Sequence, residues 1–148
     1  MSADDLRHTK EHWPFYWISR VNARYVQALE RRLKPLGLDV PNWRVLISLY
    51  EENYLSISEI AELSTMRLNT TTKVVQRLIA DGLVTTRIRP TDGRVTEACL
   101  TEKGDRLRAL ALDEAKAIYD LSFADIATEE RVALNQTLAR VFTQLNKL

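Results

Sequence analysis

The stretch SISEIAELSTMRLNTTTKVVQRLIADGLVTTRIRPTDGRVTEACL, residues 56 to 100, decides the fold. Ser56 and Glu59 have the spacing of a capping box, in which each side chain takes a free backbone N–H at a helix start. Leu55 and Ile60 stand where a hydrophobic staple forms. This helix is predicted to run to about Ser64, with Met66, Arg67 and Leu68 as the turn. A second helix is predicted from near Asn69 to Gly82, a residue that takes positive φ without penalty. Val74, Val75, Leu78 and Ile79 are its expected buried side. Val84, Thr86 and Ile88 alternate as a strand, Pro90-Thr91-Asp92-Gly93 is a turn, and Arg94 to Leu100 returns as a second strand.

The second helix has a polar face of Asn69, Thr70, Thr72, Lys73, Gln76 and Arg77. Short side chains early in such a helix let the backbone approach a DNA major groove, and the amides and cations then reach base edges and phosphates. The bland reading is that early Thr and Asn only cap the helix and the charged face is only solvated. The conjunction favours the first reading, because a capped helix, a tight turn, a polar face and a basic hairpin occur together. From Met66 to Arg94 there are six cations (Arg67, Lys73, Arg77, Arg87, Arg89, Arg94) and two acids (Asp81, Asp92), a net of +4, whereas the whole chain is +1. The positive charge is local, which marks a contact surface for polyanions.

Asp81-Gly82-Leu83-Val84, then Asp92-Gly93-Arg94, then Leu100-Thr101-Glu102-Lys103-Gly104 together resemble the winged helix-turn-helix signature of the MarR family of bacterial transcription regulators. The resemblance extends over nearly the whole chain, since the flanking helices match in order and length. In the family a second basic residue usually stands between the wing Asp and Arg; here it is Gly93.

The flanking segments carry the helices. Pro14 suits the first turn of a helix. From there Ile18, Val21, Tyr25, Leu29, Leu33 and Leu36 recur at three- and four-residue steps, predicting a long helix to Gly37. Trp13, Phe15, Tyr16 and Trp17 at its start are too many rings for one small core. They are expected to meet a partner subunit, with Trp17 also a candidate pocket lining. Thr101 is a good N-cap for a helix carrying Leu107, Leu110, Ala111, Ala115, Ile118 and Tyr119. Asp125 to Thr128 is a break, and Thr128 is expected to cap a last helix with Glu129 and Glu130 in its first turn. That helix bears the stripe Leu134, Leu138, Val141, Phe142, Leu145 and Leu148, which needs a covering surface.

Pro41 is expected to start another helix, with Trp43, Leu46, Ile47 and Leu49 on its apolar face. Arg44 in its first turns opposes the helix dipole. It is either a solvent-facing or salt-bridged residue, or a guanidinium placed to take a carboxylate with an indole as wall. The run Pro41-Asn42-Trp43-Arg44-Val45-Leu46 is similar to members of the same family that sense hydroxycinnamates and related aromatic acids, in which the matching Arg contacts the acid group. That resemblance makes Arg44 and Trp43 candidate ligand residues, joined by Trp17, Ser19, Arg20 and Asn42.

Other chemistry finds little support. With 148 residues and 45% apolar content, the chain is expected to be one folded domain. Met1-Ser2-Ala3-Asp4-Asp5 lacks the apolar core of a signal peptide, and no apolar run approaches a membrane span. The single Cys99 excludes an intrachain disulfide and suits a reducing cytoplasm. His8 and His12 are spaced for one helix face, yet Asp4, Asp5 and Glu11 are their only near acids, a poor zinc site. There is no phosphate loop and no nucleophile motif, so neither an enzyme nor a cofactor is expected. The prediction is a mainly α protein with a small β-hairpin wing: a winged helix-turn-helix over 41–100 and dimerisation helices over 1–37 and 102–148. As a homodimer it would bind double-stranded DNA through Arg67, Asn69, Thr70, Thr72, Lys73, Gln76, Arg77, Arg89, Asp92 and Arg94, and respond to a small aromatic acid. The competing readings are a winged-helix module that binds protein, and a DNA-binding regulator without a ligand.

Overall fold

The computed structural model of the chain describes residues 10–148. After a 3-10 turn at Lys10–His12, helix α1 spans Pro14–Leu33. It stops four residues short of the expected Gly37. Pro35 is the reason, because its ring lacks an N–H and clashes with the carbonyl four residues back. The chain tightens instead into a 3-10 turn at Lys34–Leu36, and Gly37 reverses it with φ +73°. Helix α2 spans Val40–Glu51. It starts one residue before Pro41, since Asp39 is the cap and its Oδ1 accepts from the Asn42 N–H at 2.9 Å.

Strand β1 is Leu55–Ser56, and helix α3 is Ile57–Ser64. The capping box is complete: Ser56 Oγ accepts from the Glu59 N–H at 3.2 Å, and Glu59 Oε1 accepts from the Ser56 N–H at 3.1 Å. Leu55 and Ile60 are both buried, as a staple requires. Thr65 closes α3 in the left-handed region at φ +53°. Helix α4 follows at Leu68–Ala80. It ends in a Schellman arrangement, with the Gly82 N–H on the Ile79 carbonyl and the Leu83 N–H on the Leu78 carbonyl. Gly82 supplies the positive φ, +74°.

Strands β2 (Val84–Arg89) and β3 (Asp92–Leu100) form the hairpin. The return strand begins at Asp92, two residues earlier than expected, and the pairing shifts register between Ile88 and Arg89. The sheet has three strands in the order β1-β3-β2, with Leu55 opposite Ala98 and Ser56 opposite Glu97. The helix-turn-helix and the wing are therefore joined by a ladder as well as by sequence.

Helix α5 spans Glu102–Ser122, and α6 spans Thr128–Leu145. Thr128 is the first helical residue of α6 and not its cap; Ala127 holds the cap position without a side-chain hydrogen bond. The chain separates into two compact units, one ending at Ala115 and the other Lys116–Leu148. Within the first, Leu29, Leu33, Val45, Leu46, Leu49, Ile60, Val75 and Leu78 make the core. Arg108 of α5 is buried in it, bonded to Asp105 and stacked 3.7 Å from the Tyr50 ring centre. In the second unit, no residue of α6 is buried. Among the described residues, no helix is long and apolar enough to cross a membrane.

Candidate nucleic-acid interface

Helix α4 buries Thr71, Val74, Val75 and Leu78. Ile79 is 41% exposed, against expectation, and Thr71 takes the inner place. A threonine can do so because its hydroxyl donates to the Arg67 carbonyl at 2.8 Å, leaving no unpaired donor. With that face inward, Asn69, Lys73 and Gln76 recur at helical spacing on the outer face, and all are exposed. Thr70 and Arg77 flank them, exposed, on one side; half-buried Thr72 flanks them on the other. Arg67 precedes the helix and is exposed as well.

The α4 face is held by the motifs that frame it. Thr101 Oγ1 donates to the Gly82 carbonyl at 2.7 Å and accepts from the Gly104 N–H at 3.0 Å. It thus caps α5 and ties it to the end of α4. The Thr101 N–H bonds the Leu83 carbonyl, and Lys103 Nζ donates to the Asp81 carbonyl at 3.1 Å. On the other side, Ser48 Oγ of α2 and Ser64 Oγ of α3 are 3.1 Å apart in the core, and both approach the Arg44 carbonyl.

The wing divides its arginines into two kinds. Arg94 is almost fully exposed, and Asp92 grips it from both carboxylate oxygens at 3.1 and 3.2 Å and also accepts its backbone N–H. Those bonds from Arg94 hold the Asp92 carboxyl below the usual aspartate range. Arg87 and Arg89 instead turn to Glu97, which is buried at 4% exposure. Arg89 continues to Glu59 on α3, and Arg87 stacks 3.3 Å from the Tyr54 ring centre. Bonds from the Ser56 backbone and hydroxyl, then from Arg89, hold Glu59 below the usual glutamate range. So the charge of Arg87 and Arg89 is answered by acids from outside the basic stretch. Arg67, Lys73, Arg77 and Arg94 carry the outward positive surface.

The expected ligand residues fall into two sets. Trp17, Ser19 and Arg20 are exposed on α1. Trp17 Nε1 donates to the Glu11 carbonyl at 2.8 Å, and Arg20 bonds the Tyr16 hydroxyl. On α2, Trp43 and Asn42 are buried, at 5% and 7% exposure, so the indole is a core group and not an open wall. Arg44, the next residue after Trp43, is half-buried. No hydrogen bond or ion pair joins the two sets among the described residues. The Arg44 charge does reach Tyr25 of α1. Burial raises its phenol above the usual range, and the Arg44 charge works against that rise. Its place in the apolar repeat of α1 hid this in the sequence. Among the described residues the buried Asn42 Oδ1 has no hydrogen-bond partner.

Of the histidine pair, His8 lies outside the described residues, and His12 sits in the 3-10 turn. Among the described residues no group of three metal-binding side chains occurs. Cys99 is buried in β3 and free.

The MarR family model matches residues 38–96. The chain is 42% identical to the HTH-type transcriptional repressor IacR of Pseudomonas putida, over 99% of this chain and 87% of that protein. In fold it is similar to a MarR-family regulator from Silicibacter pomeroyi, with TM-score 0.86 and 24% identity over 97% and 95% of the two chains. It is also similar to CouR from Rhodococcus jostii, solved with p-coumaroyl-CoA bound, with TM-score 0.84 and 24% identity over 90% and 94%.

Proposed function

From the premise that this chain belongs to the MarR family of winged helix-turn-helix transcription regulators, we propose that it is a repressor whose homodimer binds a near-palindromic operator and releases it when a small aromatic carboxylate binds. The observation that carries the DNA reading is the exposed Asn69–Lys73–Gln76 row of α4 together with an exposed Arg94 clamped by Asp92. Asn69, Thr70, Thr72, Lys73 and Gln76 meet base edges in the major groove. Arg67 and Arg77 meet phosphates, and Arg94 enters the minor groove. Arg89 holds the wing against α3, and its exposed edge is the part left for phosphate. Two copies of α4 set roughly one helical turn apart, about 34–36 Å, read the two half-sites.

The dimer reading rests on apolar surface that the single chain leaves open. Trp13, Phe15, Trp17, Ile18 and Val21 of the α1 region are exposed, as are Leu134, Leu138, Phe142 and Leu145 of α6. Patches of this kind mark a partner surface. For the ligand, Arg44 is the carboxylate receptor, with the Tyr25 hydroxyl as second donor. The repressor name of the IacR relative supports repression, and the p-coumaroyl-CoA bound by CouR supports an aromatic ligand; the carboxylate itself rests on Arg44, since that thioester has no free acid group. DNA fits one separation of the two reading helices, so a ligand favouring another separation lowers DNA affinity, and the two binding events oppose each other.

The test has two stages. Selection from a random duplex library with the full chain should return an inverted repeat, bound by two protomers. A thermal-shift screen with small aromatic carboxylates, phenolics and indoles should then raise the unfolding midpoint, and a hit should release the selected duplex. An unpatterned selection would overturn the operator reading. A blank screen with DNA binding intact would leave a regulator without this ligand.

A further inference from the structure

Helix α4 begins with a residue the polar reading does not use. Leu68 is 55% exposed, although it opens the end of the helix that enters the groove in this motif. Successive residues turn by about 100°, so Leu68 and Thr72 stack in one row beside the row of Asn69, Lys73 and Gln76. Thr72 is fixed there, since its Oγ1 donates to the Leu68 carbonyl at 3.0 Å. That bond uses the one hydroxyl hydrogen. Thr72 therefore offers a methyl group and lone pairs to a ligand, but no donor.

We propose that Leu68 and the Thr72 methyl form an apolar reader for the 5-methyl group of thymine, at one position in each half-site. The inference rests on the DNA reading above. Thymine alone among the four bases presents a methyl group in the major groove, and apolar side chains are its natural partners. The adjoining amides of Asn69 and Gln76 suit hydrogen-bonding edges, so the two rows divide the labour between methyl and polar recognition. Ile79 is also exposed, at 41%, but it lies eleven residues on, roughly 16 Å along the axis. It is an internal control for apolar exposure as such.

The experiment replaces each thymine of the selected duplex in turn by deoxyuridine, which removes only the methyl. One position per half-site should lose roughly fourfold in affinity, the factor for burying one methyl group. Changing it in both half-sites should lose roughly fifteenfold if the two act independently. Leu68→Ala should bind the thymine duplex more weakly and show a much smaller loss with deoxyuridine at that position, the remainder being the Thr72 methyl contact. Thr72→Ser, which keeps the hydroxyl, should show a reduced loss, and Ile79→Ala the full one. A wild-type chain indifferent to every deoxyuridine would overturn the proposal, as would a penalty that survives unchanged in Leu68→Ala. A selection without any consensus would fail the operator reading itself, before this test began.

Discussion

Gly104 packs directly on the backbone of Leu83: a Cβ placed on Gly104 would stand 1.9 Å from the Leu83 oxygen and 2.8 Å from its carbonyl carbon. The obstacle is backbone, so no rotamer change relieves it. The first turn of α5 can lie against the end of α4 only because that side chain is missing, and Thr101 completes the seam. Gly104→Ala should destabilise the chain by about 1–3 kcal/mol or more, the range for overpacking. Gly93→Ala, at a glycine with open space around it and no positive φ, should stay within about 0.5 kcal/mol of wild type. Urea midpoints of the two variants decide it; equal midpoints would mean the seam yields.

Acid should act on the contact between α3 and the wing. Glu59 is held below the ordinary glutamate value of 4.5, first by the bonds from Ser56 and then by Arg89. A carboxyl lowered on folding contributes stability above its unfolded value and loses it as pH falls through its folded one. Wild-type stability should therefore drop between about pH 5 and pH 3 more steeply than that of Glu59→Gln. The carboxylate is partly exposed, so added salt should shrink the difference. Ser56→Ala should lose about 1 kcal/mol at neutral pH, as a missing cap does. Parallel pH profiles for wild type and Glu59→Gln would mean that neither the Ser56 bonds nor Arg89 lowers this carboxyl.

Local pattern made much of the candidate site's architecture legible. The Ser56–Glu59 box, the Gly82 stop and the Asp92–Arg94 pair all lie within a few residues, where spacing alone fixes geometry. The outer face of α4 followed from its periodicity. What failed to show depended on distant partners. Two residues of β1 are too short to read as a strand until β3 pairs with them, some forty positions on. The count of +4 treated Arg87 and Arg89 as free, but their acids, Glu59 and Glu97, come from outside the stretch. Ile79 was expected inside and is exposed, because an apolar residue need not be buried; Thr71, assigned to neither face, is buried, because a threonine bonded to its own helix can be. Trp43 looked available for a ligand, and only the packing of α2 puts it in the core.

Arg94 should matter to DNA in a way that Arg87 does not. Its guanidinium is exposed and held by Asp92, whereas Arg87 faces Glu97 and Tyr54. Arg94→Ala should weaken binding to the selected duplex and flatten the salt dependence by roughly one unit of slope. Asp92→Asn should keep the charge but loosen its aim, giving a smaller loss with the slope retained. Fluorescence anisotropy across a salt series separates the two. Unchanged affinity in Arg94→Ala would remove the wing from the interface.

Arg44 and Tyr25 give the last prediction, and it can be checked before any ligand is known. The Arg44 charge opposes the burial that raises the Tyr25 phenol. Removing it in Arg44→Ala should move Tyr25 titration further upward, measured as tyrosinate absorbance against a Tyr25→Phe reference. The same variant should fold, dimerise and bind DNA as wild type does, since among the described residues no hydrogen bond of the Arg44 side chain supports α2; the contacts to Ser48 and Ser64 come from its carbonyl. Its response to aromatic carboxylates should be lost. At a ligand concentration a hundredfold above Kd the wild type gains about 2.7 kcal/mol, so the contrast in midpoint is large. Tyr25→Phe should respond with reduced affinity. If Arg44→Ala instead loses its fold or its dimer, the residue is structural, and the carboxylate must be received elsewhere.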